Sequence, residues 1–481
     1  MPKRGIYLGF GTISPTWAGP EHAVLVLGPP RSGKTSSVVV PTVLDTGGPV
    51  VSTSTKPDVL MATLSARARR GPCLVYDPSG TVPVPAGAQP VRWSPVASCC
   101  GWDDAMLVAR SLVGSMRPVA SGHDRAVPGA DHWTERAEAL LAPLLHAAAT
   151  SGADVATVLS WVDRRQAGHA LRVLDDAGAT VAADLLAGIA STDPREQSGI
   201  WSTASGVLGA YRSTAALATT VSPDFDAQEF CESNATLYVC ATGRHQSLVA
   251  PLVVGLLTDI RTAAYARAAA AGGGRTAEAP AVVFALDEAA NIAPLPDLPA
   301  MVSEGGSQGA VSLVCLQDLS QARARWGAAA EGFLSLFGAT VVLPGIGDVR
   351  TLEALSSLAG EEEVVTRSIS APAPRPGGLG AAFARLALGT AARHVDPGPT
   401  MTASVVLRRR LPVDVIARGH PGTALVVDER NRMGWIRLTP WFSTEPWRTM
   451  ALGHDLSLGH DRALGGEPGL GRRAERSLDQ A

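Results

Sequence analysis

The sequence predicts an α/β fold whose mostly parallel sheet is interrupted by a large all-α insertion. Three observations carry this. A Gly-rich loop follows a short apolar run at 24–27 and opens a helix. A second apolar run at 281–286 ends in Asp287-Glu288. Lys34 and Asp287 lie 253 positions apart, and the sequence between them holds a long stretch of helical periodicity. That separation is too large for adjacent or near-adjacent strands, so something is inserted. At 481 residues the chain is expected to form two or three domains. The expected boundaries are 1–98 for the first part of the α/β domain, 99–230 for the helical insertion, 231–445 for the second part, and 446–481 for a disordered tail.

The first element is Val24–Leu27, a run suited to a strand buried on both faces. Gly28, Gly33, Lys34 and Thr35 then fill the G-x-x-x-x-G-K-[ST] pattern of a phosphate-binding loop. Glycines let backbone N–H groups converge on phosphate oxygens, so Gly28, Pro29, Pro30, Arg31, Ser32, Gly33, Lys34, Thr35 and Ser36 are the candidate nucleotide-binding residues. Lys34 is expected to reach the β- and γ-phosphates, and the Thr35 hydroxyl to hold Mg²⁺. The following TSSVVVPTVL starts a helix that Pro41 is expected to end or kink. Of 41 basic residues only Lys3, Lys34 and Lys56 are lysine. A compact point charge on phosphate is one place where arginine does not substitute, which fits Lys34. Lys56 reads equally as a second functional lysine or a surface residue after a strand.

Further strands are expected at 49–54 and 73–76. From 102 to 218 the pattern is helical, clearest in HWTERAEALLAPLLHAAA, with Gly, Pro and Ser clusters at 114–130 and 191–199. Residues 103–215 carry 13 Asp/Glu, 9 Arg and no Lys, a balance suited to a protein partner rather than to phosphate backbones. The His132 and Glu135 pair is a helix start and not a metal site. Sheet character returns at 236–240, followed by a helix at 245–270. In AVVFALDE, Asp287 is placed to hold the Mg²⁺ shell and Glu288 to polarise an attacking water. VSLVCLQ (311–317) ends another core strand at Gln317, and ATVVLPG (339–345) reads as one more. Residues 370–381 and 394–401 are Pro/Gly-rich and read as an insertion or loop.

The net charge is −3, so nothing global advertises nucleic acid, and any such surface must be local. The six cysteines, Cys73, Cys99, Cys100, Cys231, Cys240 and Cys315, contain no C-x-x-C pair and read mainly as buried reduced thiols. The N-terminus is too short for a signal peptide, and the longest apolar run, 248–257, is about half a membrane span. The chain is therefore expected to be cytosolic and not to cross a membrane by itself.

The ordered series GPPRSGKT, STKPDVL, VYDPSG, RWSPV, HWTERAEALL, TLYVCATGRHQSLVAPLVVGLL, FALDEAANIAPLPDLPAMVSEGGSQG and CLQDLSQARARWG resembles the TraG/TraD type IV coupling proteins over roughly residues 5–445. Positions 281–327 resemble the part often called the TraM recognition domain. The resemblance implies a RecA-like P-loop NTPase core using ATP and Mg²⁺, an inserted all-α domain, and assembly as a homo-hexameric ring at the inner face of a membrane. It also implies transfer of DNA, single-stranded in a ring pore, or of a DNA–protein substrate towards a type IV secretion channel. Relaxase or accessory proteins are the implied partners of the all-α domain, with secretion-channel or membrane-anchor proteins beside them. Gln317 matches the family's Gln at the end of the next core strand, a sensor of the γ-phosphate.

Two departures stand out. Family members usually begin with a transmembrane anchor, and this sequence starts almost directly at the ATPase part. The family also carries an arginine, a candidate trans-acting finger, at the position of Gly306, with Arg323, Arg325 and Arg350 as possible substitutes. Two other functions fit the residues: a recruitment module that binds ATP with little hydrolysis, and a soluble double-stranded DNA pump of the FtsK or HerA type.

Overall fold

The computed structural model describes residues 5–11, 13–116, 130–241, 246–272, 280–370 and 400–452. Two compact units are present, Met1–Asp348 with Gly419–Ala481, and Val349–Arg418.

The first unit is organised by a twelve-stranded sheet. Its strands are β1 (Tyr7–Phe10), β2 (Pro15–Trp17), β3 (Val24–Leu27), β4 (Val50–Ser54), β5 (Cys73–Tyr76), β6 (Gln89–Pro90), β7 (Thr236–Cys240), β8 (Val282–Leu286), β9 (Ala310–Leu316) and β10 (Ala339–Val342). The second unit supplies β11 (Glu361–Ser370) and β12 (Thr400–Arg409), and the first unit resumes with β13 (Thr423–Asp428) and β14 (Met433–Arg437). The order across the sheet is β2-β1-β14-β13-β10-β3-β9-β8-β4-β7-β5-β6. From β10 to β6 every pairing is parallel. The β13, β14, β1 and β2 edge is antiparallel. Residues 24–27 are fully buried and all of β9 is buried, as expected where helices cover both faces of a parallel sheet.

The spacing of the two motifs misleads about their positions. Although Lys34 and Asp287 stand 253 positions apart, β3 and β8 have only β9 between them. Sequence distance measures what is inserted between two strands, not how far apart they stand in the sheet.

Eleven helices are needed to follow the chain to β8: α1 (Val40–Asp45), α2 (Asp58–Ala68), α3 (Trp102–Ser115), α4 (Ala130–Ser151), α5 (Val155–Asp163), α6 (Gly168–Asp176), α7 (Thr180–Ala190), α8 (Pro194–Val207), α9 (Thr214–Ala218), α10 (Ala227–Glu232) and α11 (Gln246–Ala270). Helices α3 to α10 form the all-α insertion. It shares one compact unit with the sheet, whereas 349–418, read from sequence as part of the second α/β segment, separates from it. The segment that leads from the sheet into the insertion is tied to α11 by polar contacts. Asp259 on α11 accepts hydrogen bonds from the buried Trp93 Nε1 (2.9 Å) and from Ser98 Oγ (2.8 Å), and burial raises its pKa.

Two expectations change, while Pro41 falls at a break as expected: the wide-turned stretch Thr35–Val39 ends just before it, and α1 runs from Val40 to Asp45 with Pro41 in its first turn. Wider turns precede it, with the Val40 N–H bonded to the Thr35 oxygen, and they accommodate a residue that has no N–H. The apolar run at 248–257 lies in a longer stretch, Leu248–Ala270. By length and composition it is the one described helix able to cross a membrane, but 72% of its most apolar 18-residue window is buried inside the protein. The ordered chain also continues past 445, because Trp447–Leu452 is helical and buried Trp447 stacks edge-on against Tyr7 at 5.1 Å. Of the segments read as Pro/Gly-rich (370–381 and 394–401), 371–381 and 394–399 lie outside the described residues, as does the end of the tail (453–481), while Ser370, Thr400 and Met401 are strand residues.

Arg67 is fully buried on α2. It donates through Nε to Thr236 Oγ1 (2.6 Å), through Nη2 to the oxygens of Gly48 (2.8 Å) and Asn234 (3.1 Å), and through Nη1 to the Thr46 oxygen. These acceptors sit where the chain enters β4 and β7, so one guanidinium gathers three chain segments. None of the four is charged, and burial lowers the Arg67 pKa to about 10. Arg67→Met is expected to cost about 2–4 kcal/mol, because it strands buried acceptors. Thermal unfolding beside Arg69→Met, a change at an exposed side chain, checks this. Equal melting temperatures for the two variants would show that the guanidinium holds nothing together.

Candidate nucleotide site

The carboxyl ends of β3, β9, β8 and β4 lie side by side, which brings four loops to one edge of the sheet. The loop after β3 turns sharply. Arg31 and Gly33 take positive φ values of 65° and 97°, and Gly28 is pressed so close to Ser32 and Leu343 that a Cβ there would lie 2.7 Å from Ser32 Oγ. Alternating backbone hands of this kind aim successive N–H groups into one concavity.

Lys34 is buried behind the loop at 5% exposure. Its Nζ donates to the oxygens of Gly28 (2.5 Å) and Pro29 (3.1 Å). An ammonium has three protons to give, and two carbonyls do not neutralise it. Ser32 Oγ is buried with no hydrogen-bond partner among the described residues. A buried cation and an orphaned hydroxyl on one loop fit a phosphate group.

The second motif meets the first directly. Thr35 Oγ1 donates to Asp287 Oδ2 at 2.5 Å across 252 positions of sequence. Asp287 is buried, and burial is the main reason its pKa rises to about 6. The charge of Glu288 raises it further, while the Thr35 hydrogen bond and Lys34 pull it down. A carboxylate and a hydroxyl held together beside a buried ammonium form a donor set for a hard cation such as Mg²⁺.

Glu288 adopts the left-handed region, φ 53° and ψ 42°. For a residue with a side chain this costs on the order of 1–3 kcal/mol and persists only where the surroundings enforce it. Here Thr53 Oγ1 on β4 donates to the Asp287 oxygen (3.0 Å), and Asn291 Nδ2 donates to Glu288 Oε2 (3.1 Å). Sequence reading missed both residues. A signal existed for Thr53, since Ser52-Thr53-Ser54 are polar residues in a fully buried strand. Asn291 stands three residues after Glu288, the spacing of neighbours on one turn of helix.

Gln317 follows β9 directly, and the Leu316 oxygen accepts from the Gly28 N–H (3.2 Å), so Gln317 stands beside the phosphate loop. Its own N–H is held by Gln321 Oε1 (3.0 Å). Pro29, Pro30, Arg31, Ser32 and Ser36 all lie in the loop or the first turn after it. Lys56 is exposed just beyond the end of β4.

The substitute arginines are elsewhere. Arg323 pairs with Asp348 at 2.7 Å and Arg325 donates to the Ser115 oxygen at 2.6 Å. Arg350 is exposed and belongs to the second unit. Gly306 is buried, and a Cβ on it would lie 2.0 Å from the Glu21 carbonyl oxygen. No side chain fits at 306 unless the backbone moves.

Lys34→Ala is expected to weaken binding of a fluorescent nucleoside triphosphate by at least ~10-fold, from the loss of one charged hydrogen-bond donor. The circular dichroism spectrum should not change, because the Lys34 head faces the loop and not the core. Wild-type affinity in this variant would mean the loop is not where phosphate binds.

Comparison with known proteins gives this geometry a setting. The family model described as "Type IV secretory system Conjugative DNA transfer" matches residues 3–376. No curated protein sequence matches. Among solved structures, the chain is similar to the bacterial conjugative coupling protein TrwBdeltaN70 in its unbound form, at 18% identity and a TM-score of 0.63, covering 91% of this chain and 90% of that one. It is also similar to TrwB in complex with the non-hydrolysable ATP analogue ADPNP, at 19% identity and a TM-score of 0.61, covering 88% and 86%. TrwB in complex with ADP and Mg²⁺ is similar at 18% identity and a TM-score of 0.58, again covering 88% and 86%. The fold is thus a RecA-like α/β core with an all-α insertion. With most of its length inside the family model, the chain belongs to the type IV secretory system conjugative DNA transfer family.

Proposed function

We propose that this chain is the ATP-driven coupling protein of a conjugative system, recruiting DNA or a DNA–protein substrate and driving it into a type IV secretion channel. The observation that carries this reading is the Thr35–Asp287 hydrogen bond, which joins the two nucleotide motifs into one site with Lys34 beside them. Lys34 and the loop N–H groups hold the β- and γ-phosphates of ATP. Thr35 and Asp287 are the residues that would hold Mg²⁺, which when bound neutralises phosphate charge. Glu288, held by Asn291, takes the proton of the attacking water, and Gln317 senses the γ-phosphate. ADPNP and ADP with Mg²⁺, bound by TrwB, support ATP and Mg²⁺ as the ligands here.

On this reading the active form is a homo-hexamer with single-stranded DNA in its pore, and the helices between residues 99 and 230 dock a relaxase or accessory protein. The acidic balance of that segment supports a protein partner. The chain would work at the cytoplasmic face of the membrane, with a secretion-channel or membrane-anchor protein holding it there.

Steady-state ATPase assays with and without single- and double-stranded DNA test this. Turnover should rise with single-stranded DNA. Glu288→Gln should bind ATP yet hydrolyse it at least ~10²-fold more slowly, since the base is lost while the cation ligand remains. Turnover stimulated only by double-stranded DNA would favour a duplex pump instead.

A second reading, ATP-dependent recruitment with little hydrolysis, gains from Gly306. Its backbone abuts Glu21, so this position offers no finger and Gly306→Arg is expected to misfold rather than activate. Arg323 and Arg325 are engaged inside their own subunit, so Ala at either should lower the melting temperature. Exposed Arg350 is the substitute to test across an interface. Arg350→Ala in the assembled protein should cut turnover by about 10³-fold with little change in ATP affinity, since a finger acts only in the transition state. Unchanged turnover there would leave this chain without a finger and strengthen the recruitment reading.

A further inference from the structure

The second unit contains a ribbon that its own chain leaves incomplete. Strands β11 and β12 pair antiparallel over ten residues each, in the register Glu361↔Arg409 to Ser370↔Thr400. They form a two-stranded sheet of their own, about 34 Å long, and among the described residues neither long edge has a partner strand. A bare two-stranded ribbon is marginal in water, and open edges invite pairing with another chain.

Its faces are unlike each other. Alternation places Glu363, Val365, Arg367, Met401, Ala403, Val405 and Leu407 on one side. Four of these are large apolar residues left in solvent: Leu407 at 63% exposure, Val405 at 62%, Met401 at 61% and Val365 at 58%. The other side carries Glu362, Thr366, Ser404 and Arg408 around a single Val364–Val406 pair. Charge is also sorted by strand. Glu361, Glu362 and Glu363 open β11, and they lie opposite the end of β12, where Arg408 and Arg409 are followed by Arg410.

We propose that the ribbon is an assembly arm whose β12 edge pairs with the β11 edge of a second copy of this chain. Repeating the in-chain register across that edge sets Glu361 and Glu362 of one copy against Arg409 and Arg408 of the next, with Glu363 and Arg410 flanking them. Pairing like edges would instead set each charged end against the uncharged end of the neighbour, so the charges select the β12-to-β11 join. Such a contact is head-to-tail and can close into a ring. Closure removes both open edges and turns the apolar rows to one shielded side. The inference rests on the assembly of copies in the function proposed above.

The test uses the full chain with ATP and Mg²⁺ and reads assembly by native mass spectrometry. A swapped variant carries Glu361→Arg, Glu362→Arg and Glu363→Arg together with Arg408→Glu, Arg409→Glu and Arg410→Glu. It keeps opposite charges within each ribbon and between like copies, but sets like charges against the wild type. It should assemble with itself, while mixed contacts with mass-tagged wild type are at least ~10-fold rarer than homotypic ones. A second variant, Val365→Thr with Val405→Thr, keeps strand propensity and removes apolar surface. Its assembly should weaken at least ~10-fold with nucleotide affinity unchanged. Random mixing of swapped and wild-type chains, a folded swapped chain that stays monomeric, or unchanged assembly of the threonine variant would each overturn the inference. So would a wild type that binds nucleotide and remains monomeric. A wild type that assembles but binds no nucleotide would instead sink the ATPase reading and leave the ribbon standing.

Discussion

One short hydrogen bond organises the nucleotide edge: the Thr35 hydroxyl on the Asp287 carboxylate at 2.5 Å. It depends on β9 alone separating β3 from β8, with Leu286 at the end of β8 level with Leu25, two residues before the end of β3. A register slip of one residue in either strand would turn its side chains to the opposite face and break the bond. Burial of Asp287, the left-handed turn at Glu288 and the placement of Gln317 beside Gly28 all follow from that alignment. The helical insertion can therefore be long without disturbing the site, because the sheet and not the connection fixes the geometry.

Much of this was legible in the residues and some was not. The phosphate loop and the acidic strand end are local patterns with a mechanism, and both motifs stand at strand ends as their composition suggested. Strand order was not legible, because pairing is set by long-range packing. Thr53 and Asn291 were missed because their partners are a backbone oxygen and a neighbouring side chain, neither of which leaves a motif. Trp447 escaped because a lone aromatic in a polar tail looks like any other until Tyr7 is seen beneath it. The expected split of the chain also missed 349–418, whose ordinary α/β pattern gives no hint that it forms a unit of its own.

The lysine economy of the chain has a matching physical logic. Lys34 is buried where a flexible ammonium can leave two carbonyls for a phosphate, while Lys56 stands in solvent. Arginine fills the structural posts instead. Arg67 is one such post, since a planar fork with five donors can bind several separated carbonyls at once. The same chemistry explains why Arg323 and Arg325 are poor fingers: each has already committed its fork to its own subunit.

The cysteines give the molecule a practical asymmetry. Cys73, Cys99, Cys231, Cys240 and Cys315 are buried, and desolvation raises their thiol pKa values, so they are slow to form the reactive thiolate. Cys100 alone is exposed, one residue before the glycine that precedes α3. A maleimide dye added to the native, unmodified sequence would thus settle at the doorway between sheet and insertion. The protein comes with its own single-site optical reporter of how the helical domain responds when nucleotide or cargo arrives.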